Sequence, residues 1–210
     1  MGYYLDWMYP LFDTLNKKKI LKSPMAQLGS QQIFGHGADC SVKQIFKDRY
    51  GITEYTDFDL NGKAMINLDL TQPLPSEYRL KYGTVVDSGT IEHIFDQYSA
   101  FKNSHAMCAV GGTIIHIQMM RGIWNHGFYS YHPRFFHEIA RYNAYEIKHT
   151  AFYYRMNEEE GNTYTEDFGD DAYMRGRKCP FDIYPLELTF VIAMEKTSSK
   201  AFQLPLDVDA

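Results

Sequence analysis

The chain of 210 residues carries a formal net charge of −5, with 45% hydrophobic and 22% charged residues. That balance excludes extended disorder, and it lacks the basic footprint of a nucleic-acid binder. The 17 Tyr and 14 Phe are a surplus of rings, many with a polar tip, able to line a pocket as well as a core.

The length predicts one domain over 1–210 with a sizeable core. Cys40, Cys108 and Cys179 are far apart and form no CxxC pair, so neither a disulfide framework nor a zinc site is expected, and a reducing cytoplasm is the natural compartment. The first residues, Met1 to Trp7, lack a basic region followed by an apolar one, which predicts no signal peptide. No run reaches the ~18 apolar residues of a membrane span. The expected partner is a small molecule, with no nucleic acid and no membrane; a homodimer is compatible with the composition.

In chain order, residues 1–22 read as a helical lead-in ending near Lys17, Lys18 and Lys19. Met25 to Leu28 is a short strand closed by Gly29-Ser30. A loop with Gly35 and Gly37 leads to Ser41, an N-cap for a helix over Val42 to Tyr50, and Gly51 stops it. Ile52 to Asp59 is a second strand, Asn61-Gly62 a turn, and Ala64 to Leu70 a third strand ended by Pro73 and Pro75. Tyr82 to Asp87 is an apolar run ending in an acid, of the kind that suits a buried parallel strand. After Ser88-Gly89-Thr90, apolar residues at helical spacing predict a helix over Ile91 to Met107. Gly111-Gly112 breaks the chain before a fifth strand, Thr113 to Ile117. The polar-aromatic loop Arg121 to Tyr131 precedes a helix over Pro133 to Tyr142. Ala144 to Tyr154 and Leu188 to Lys196 are late strands, separated by an acidic, Gly-rich surface insertion at 157–178. Alternating β and α elements predict an α/β fold with a mostly parallel sheet and a terminal antiparallel pair.

Open sheets of this kind bind ligands at the carboxyl ends of their strands, so the residues there are the candidates for chemistry. Gly29 permits close backbone approach, and Ser30 and Gln31 can hydrogen-bond a carboxylate or ammonium. Asp57 and Asp59 alternate onto one face, and a carboxylate there suits two adjacent ribose hydroxyls. His93 has the ordinary pKa range of a general base. His126, His132 and His137 lack an acid at a spacing such as HExxH, so no metal is expected.

These segments, in order, resemble the class I S-adenosylmethionine-dependent methyltransferases. Asp87-Ser88-Gly89-Thr90-Ile91-Glu92-His93 matches a family pattern D-x-G-x-x-E-H, and Asp69-Leu70-Thr71-Gln72-Pro73-Leu74-Pro75 matches D-L-x-x-P-L-P. Gln27-Leu28-Gly29-Ser30-Gln31 is similar to a variant of the first glycine turn, with Gln27 where an acid would lie. Asn125-His126-Gly127-Phe128-Tyr129 is similar to a subgroup's N-H-G-F-Y. The resemblance spans Gln27 to Asn143 and implies a single-domain Rossmann-like methyltransferase fold with a mostly parallel seven-stranded sheet and a terminal antiparallel strand.

The resemblance further implies S-adenosylmethionine as cofactor, held by Gly29, Ser30, Gln31, Asp59, Leu60, Asp69, Leu70, Asp87, Ser88 and Gly89, with Asp59 preferred over Asp57 for the ribose. Glu92, Trp124, Tyr129 and Tyr131 would contact the acceptor, and His93 and His126 would be catalytic. The acceptor pocket is expected between the loop Trp124 to His132 and the N-terminal Tyr3, Tyr4 and Trp7. The acceptor would be a sugar, nucleotide-sugar or secondary metabolite, methylated on oxygen or nitrogen. A degenerate methyltransferase fold acting as a scaffold is the competing reading. A nicotinamide oxidoreductase would need a GxGxxG turn opening the first helix, and Gly29-Ser30-Gln31 does not supply it.

Overall fold

The computed structural model describes residues 2–34, 40–122, 125–155, 163–166 (backbone only) and 186–206. Among them are strands β1 (Gly2–Tyr4), β2 (Met25–Leu28), β3 (Gln32–Phe34), β4 (Tyr55–Asp59), β5 (Ile66–Asn67), β6 (Tyr82–Ser88), β7 (Cys108–Arg121), β8 (Tyr145–Arg155), β9 (Thr163–Glu166) and β10 (Glu187–Lys196). The helices are α1 (Leu5–Lys17), α2 (Val42–Tyr50), α3 (Gln97–Met107) and α4 (Pro133–Tyr142).

Eight strands form one sheet in the order β5-β4-β2-β6-β7-β10-β8-β9. The first five are mutually parallel, while β10 is antiparallel to both β7 and β8. The expected seven-stranded sheet is therefore present, and β9 adds an eighth strand at the edge beside β8. That strand falls within the segment expected to be a surface insertion. A separate parallel pair, β1 with β3, was not expected from the sequence.

Strand parity sorts the core into two layers, because successive side chains point to opposite faces. Ala26, Leu28, Val85 and Ile114 face α3 and α4, where Phe101 and Phe136 are buried. Val86, Ile115, Val191 and Ala193 face the other side, where Leu11, Phe12 and Leu15 of α1 and Phe46 of α2 pack. Helix α1 buries Leu5, Met8, Leu11, Phe12 and Leu15, the stripe a period of 3.6 places on one face.

Helix boundaries follow local chemistry. Ser41 Oγ accepts from the Gln44 amide at 3.1 Å and Gly51 ends α2 at φ +70°, as the cap residues predict. The helix expected over Ile91 to Met107 is instead a short 3-10 turn at Ile91–His93 followed by α3. Extended backbone at Ile94 interrupts it, and Asp96 caps α3 by accepting from the Ser99 amide at 3.1 Å. The third expected strand contracts to Ile66–Asn67. Asp57 accepts the Met65 amide at 2.8 Å and Asp69 accepts the Thr71 amide and hydroxyl at 2.8 and 2.7 Å; these side-chain bonds favour turns over ladder. The fifth strand extends through Gly111-Gly112, where its register against β6 shifts: Tyr82 pairs with Cys108 but Thr84 with Thr113, an irregularity of the bulge kind that does not end the strand.

Candidate functional site

The chain leaves β2 toward β4 and β5 on one side, then returns to β6 on the other. The carboxyl ends of β2 and β6 therefore flank the point where strand order reverses, the position at which open α/β sheets bind ligands. Leu28 pairs with Asp87 there, which brings the turn at Gly29 against the turn at Gly89. Gly29 has φ +79°, and a Cβ on it would lie 2.2 Å from Thr90 Oγ1; that hydroxyl donates to the Leu28 carbonyl at 2.8 Å. Gln31 Nε2 donates to the Ser88 carbonyl at 3.0 Å. Its Oε1 is buried with no hydrogen-bond partner, which leaves a free acceptor at the crevice.

Asp59 ends β4 beside this crevice. Its Oδ2 accepts from the Ser30 amide (2.8 Å) and Asn61 Nδ2 (2.7 Å), and its Oδ1 from the Leu60 (2.7 Å) and Asn61 (3.2 Å) amides. The carboxylate thus ties the loop after β4 to the turn after β2. Leu60 is exposed, whereas Leu70 is buried in the core on the α3 side. Asp69 is turned into its own loop by Thr71, whose amide and hydroxyl hold its pKa below the ordinary carboxylate range.

Asp87 is fully buried, and each of its oxygens accepts from two groups. Oδ2 takes His116 Nδ1 (2.8 Å) and Gln118 Nε2 (2.6 Å) from β7; Oδ1 takes the Thr90 (3.2 Å) and Ile91 (3.1 Å) amides. This carboxylate fixes the turn that carries Glu92 and His93. His116 and Gln118 were not read as site residues, although polar side chains at alternate positions of an apolar strand were the available signal.

A cavity of about 310 Å³ opens beside Ser88 and Gly89. Its sheet wall is set by parity: Ser88, Ile117, Met119, Thr189 and Glu187 all lie on the α1 side of adjacent strands. Gly2, Tyr4, Trp7 and Phe34, from β1, α1 and β3, line it too, and Glu92, His126, Tyr153 and Tyr154 complete the wall. The Tyr153 hydroxyl donates to the Trp7 carbonyl at 2.9 Å, pinning the N-terminal segment to the sheet. Phe34, Tyr153, Tyr154 and Glu187 were not legible as site residues: β3 was not expected, and ring-bearing strand residues carry no motif.

Glu92 is 1% exposed. Burial, followed by the nearby negative charge of Asp87, pushes its carboxyl up to about 8. Its carbonyl accepts the Phe128 and Tyr129 amides at 2.8 and 3.3 Å, clamping the loop from Asn125 onto the turn. Gly127 is required by that contact, since a Cβ there would lie 2.7 Å from the Glu92 oxygen. His126 Nε2 is consequently 3.5 Å from Glu92 Oε1, and the rings of His93 and His126 are 4.8 Å apart at 75°. Partial desolvation lowers the pKa of both imidazoles, and the neighbouring His126 adds to it at His93.

The other expected acceptor contacts are placed differently. Tyr131 is buried against Phe101, Phe135 and Phe136, with its hydroxyl donating to Gln97 Oε1. The Tyr129 hydroxyl donates to the Phe95 carbonyl at 3.0 Å. Neither is among the described residues lining the cavity. Tyr3 is buried beneath it and donates to Gln27 Oε1 at 2.8 Å. Trp124 lies outside the described residues.

No protein-family model matches the chain, and no curated protein matches it. Solved structures do. A methyltransferase from Archaeoglobus fulgidus, described as S-adenosylmethionine-dependent, is 14% identical with a TM-score of 0.55, over 89% of this chain and 93% of that one. A second so described, from Thermotoga maritima, is 14% identical with a TM-score of 0.50, over 91% and 96%. Phosphoethanolamine N-methyltransferase 2 of Haemonchus contortus, solved with S-adenosyl-L-methionine, is 12% identical with a TM-score of 0.54; the match covers 91% of this chain and 53% of that one. The chain has the Rossmann-like fold of the S-adenosylmethionine-dependent methyltransferases.

Proposed function

We propose that the protein is an S-adenosylmethionine-dependent methyltransferase acting on a small-molecule oxygen or nitrogen acceptor, of the sugar, nucleotide-sugar or secondary-metabolite class. The observation that carries this reading is the free, buried Oε1 of Gln31, whose Nε2 donates to the Ser88 carbonyl at the reversal of strand order, next to a cavity large enough for a small organic molecule. When bound, the cofactor supplies an electrophilic methyl group on a sulfonium centre.

The residues present fit that cofactor. Gln31 Oε1 is an acceptor suited to its ammonium, and the Gly29 turn keeps backbone close. Asp59 stands at the end of β4, where a carboxylate suits a ribose diol; Asn61 Nδ2, on an exposed side chain, is the donor that would be exchanged for a ribose hydroxyl. Ser88 and Gly89 border both the crevice and the cavity, so an acceptor in the cavity meets the cofactor at that border. Such transfer depends chiefly on holding the two reactants in line. The rings of Tyr4, Trp7 and Phe34 line the cavity at that border and offer an acceptor an aromatic surface.

Incubation with methyl-labelled S-adenosylmethionine and pools of sugars, nucleotide-sugars and phenolic or amine metabolites tests the reading. Label appears in a small-molecule product and is lost in Gln31→Leu. The competing scaffold reading draws on Gln27, which takes the usual acid's place and is bonded to Tyr3; a scaffold transfers no label to any pool and binds no cofactor.

A further inference from the structure

We propose that Glu92, His93 and His126 form a binding site for a divalent first-row transition-metal ion at the wall of the cavity, and that the bound ion takes a hydroxyl or carboxylate oxygen of the acceptor. The ion site stands on the geometry alone; the role toward the acceptor rests on reading the cavity as the acceptor pocket.

One ligand atom from each of the three side chains lies within 4.8 Å of the other two. Glu92 Oε1 and His126 Nε2 are the pair at 3.5 Å, facing each other without a hydrogen bond. Glu92 Oε2 and His126 Nε2 are both buried polar atoms with no partner. Glu92 is almost wholly buried beside Gln118, and a carboxylate oxygen left without a partner there is costly unless a cation or a proton meets it. Side-chain movements of less than about 1 Å bring three such atoms to the ~2.0–2.2 Å bond lengths of imidazole and carboxylate ligands.

The scaffold holds these groups together by backbone bonds rather than by contacts among the side chains themselves. Asp87 Oδ1 fixes the amides of Thr90 and Ile91, and the Glu92 carbonyl fixes those of Phe128 and Tyr129. Thus the turn carrying Glu92 and His93 and the loop carrying His126 are clamped as one unit. Two imidazoles with one carboxylate suit manganese, iron, cobalt or zinc better than magnesium or calcium, which favour all-oxygen sets. Three protein ligands leave coordination positions open. Glu92 and His126 line the cavity, so an open position there faces the space in which an acceptor would lie.

The experiment uses the full chain stripped with a chelator and then titrated with cobalt(II) and with zinc(II), followed by calorimetry and, for cobalt, by visible absorption. One ion per chain is expected, with cobalt giving the spectrum of mixed nitrogen and oxygen ligation. Affinity should fall at least tenfold in each of His93→Ala, His126→Ala and Glu92→Gln. His93 is exposed, so its replacement spares folding and keeps the test interpretable if another variant is unstable. No binding, or binding unchanged by His93→Ala and His126→Ala, overturns the proposal. Cofactor titration of the same stripped protein separates the two readings: cofactor binding without ion binding removes only the metal site, and ion binding without cofactor binding removes only the methyltransferase reading.

Discussion

The Asp59 carboxylate accepts the Ser30 amide at 2.8 Å, joining the end of β4 to the glycine turn after β2. Asp59 therefore organises the crevice, and in the proposed cofactor site it would also offer an oxygen to a ribose. Asp59→Ala is expected to weaken cofactor binding by roughly 1.5–3 kcal/mol, the range for hydrogen bonds to a charged group. Asn61→Ala, which frees Asp59 Oδ2 from a competing donor, should leave affinity unchanged or raise it. Calorimetry on the two variants checks this; a loss in Asp57→Ala with none in Asp59→Ala would assign the ribose to the other acid.

Asp87 is a stability residue by its surroundings. Removing its carboxylate strands His116, Gln118 and the Thr90 and Ile91 amides in a buried position. Asp87→Ala should cost about 3–5 kcal/mol, the scale for breaking one partner out of a buried charged network. A shift of under about 1 kcal/mol in urea unfolding would show that the surroundings relax around the loss.

Much of the parallel half of the fold was legible, because β2, α2, β6 and α4 each carry a period and a terminator: Gly29, Ser41 with Gly51, Asp87, and Pro133. The elements that differed were decided by contacts distant in sequence. Nothing local marks β1 and β3 as partners, since their pairing joins Gly2–Tyr4 to Gln32–Phe34 across helix α1. Ile91 to Phe101 carries apolar residues at helical spacing, but Asp87 draws Thr90 and Ile91 into a tight turn and Asp96 restarts the helix. The candidate site is legible where a turn carries it, as at Ser88 and Glu92, which line the cavity. Its far wall comes from β10 and β8, where antiparallel pairing alone sets Thr189 beside Met119 and Tyr153 beside Thr189.

Glu92 makes stability depend on pH in ion-free protein. Its carboxyl is raised from an ordinary 4.5 to about 8, so the folded state holds a proton that the unfolded chain releases between those values. The stabilisation is complete below about 4.5 and is lost as pH rises through 8. Glu92→Gln cannot titrate, and its stability relative to the natural protein should improve steadily across that window in urea melts. A difference independent of pH would show that Glu92 is ionised in the folded state at neutral pH.

His105 acts in the opposite direction. Burial first, and the charge of Lys196 second, lower its pKa from 6.5 to about 4, while Tyr145 and the Lys200 carbonyl occupy its two nitrogens at 2.6 and 2.8 Å. The unfolded chain takes up a proton between those values that the folded chain refuses, so stability is full above 6.5 and declines as pH falls toward 4. His105→Gln should be less stable at pH 7 yet lose less on acidification. Nuclear magnetic resonance titration of the His105 ring gives the direct check: a midpoint near 6.5 would contradict the burial argument.

The crevice between β2 and β6 is the proposed cofactor site. Isothermal titration of chelator-treated protein with S-adenosylhomocysteine, the demethylated product, tests it without requiring the acceptor or an ion. One molecule bound per chain is expected, with a weaker affinity in both Gln31→Leu and Asp59→Ala and a raised melting temperature in the natural protein. Absence of heat together with an unmoved melting temperature at millimolar ligand would contradict it.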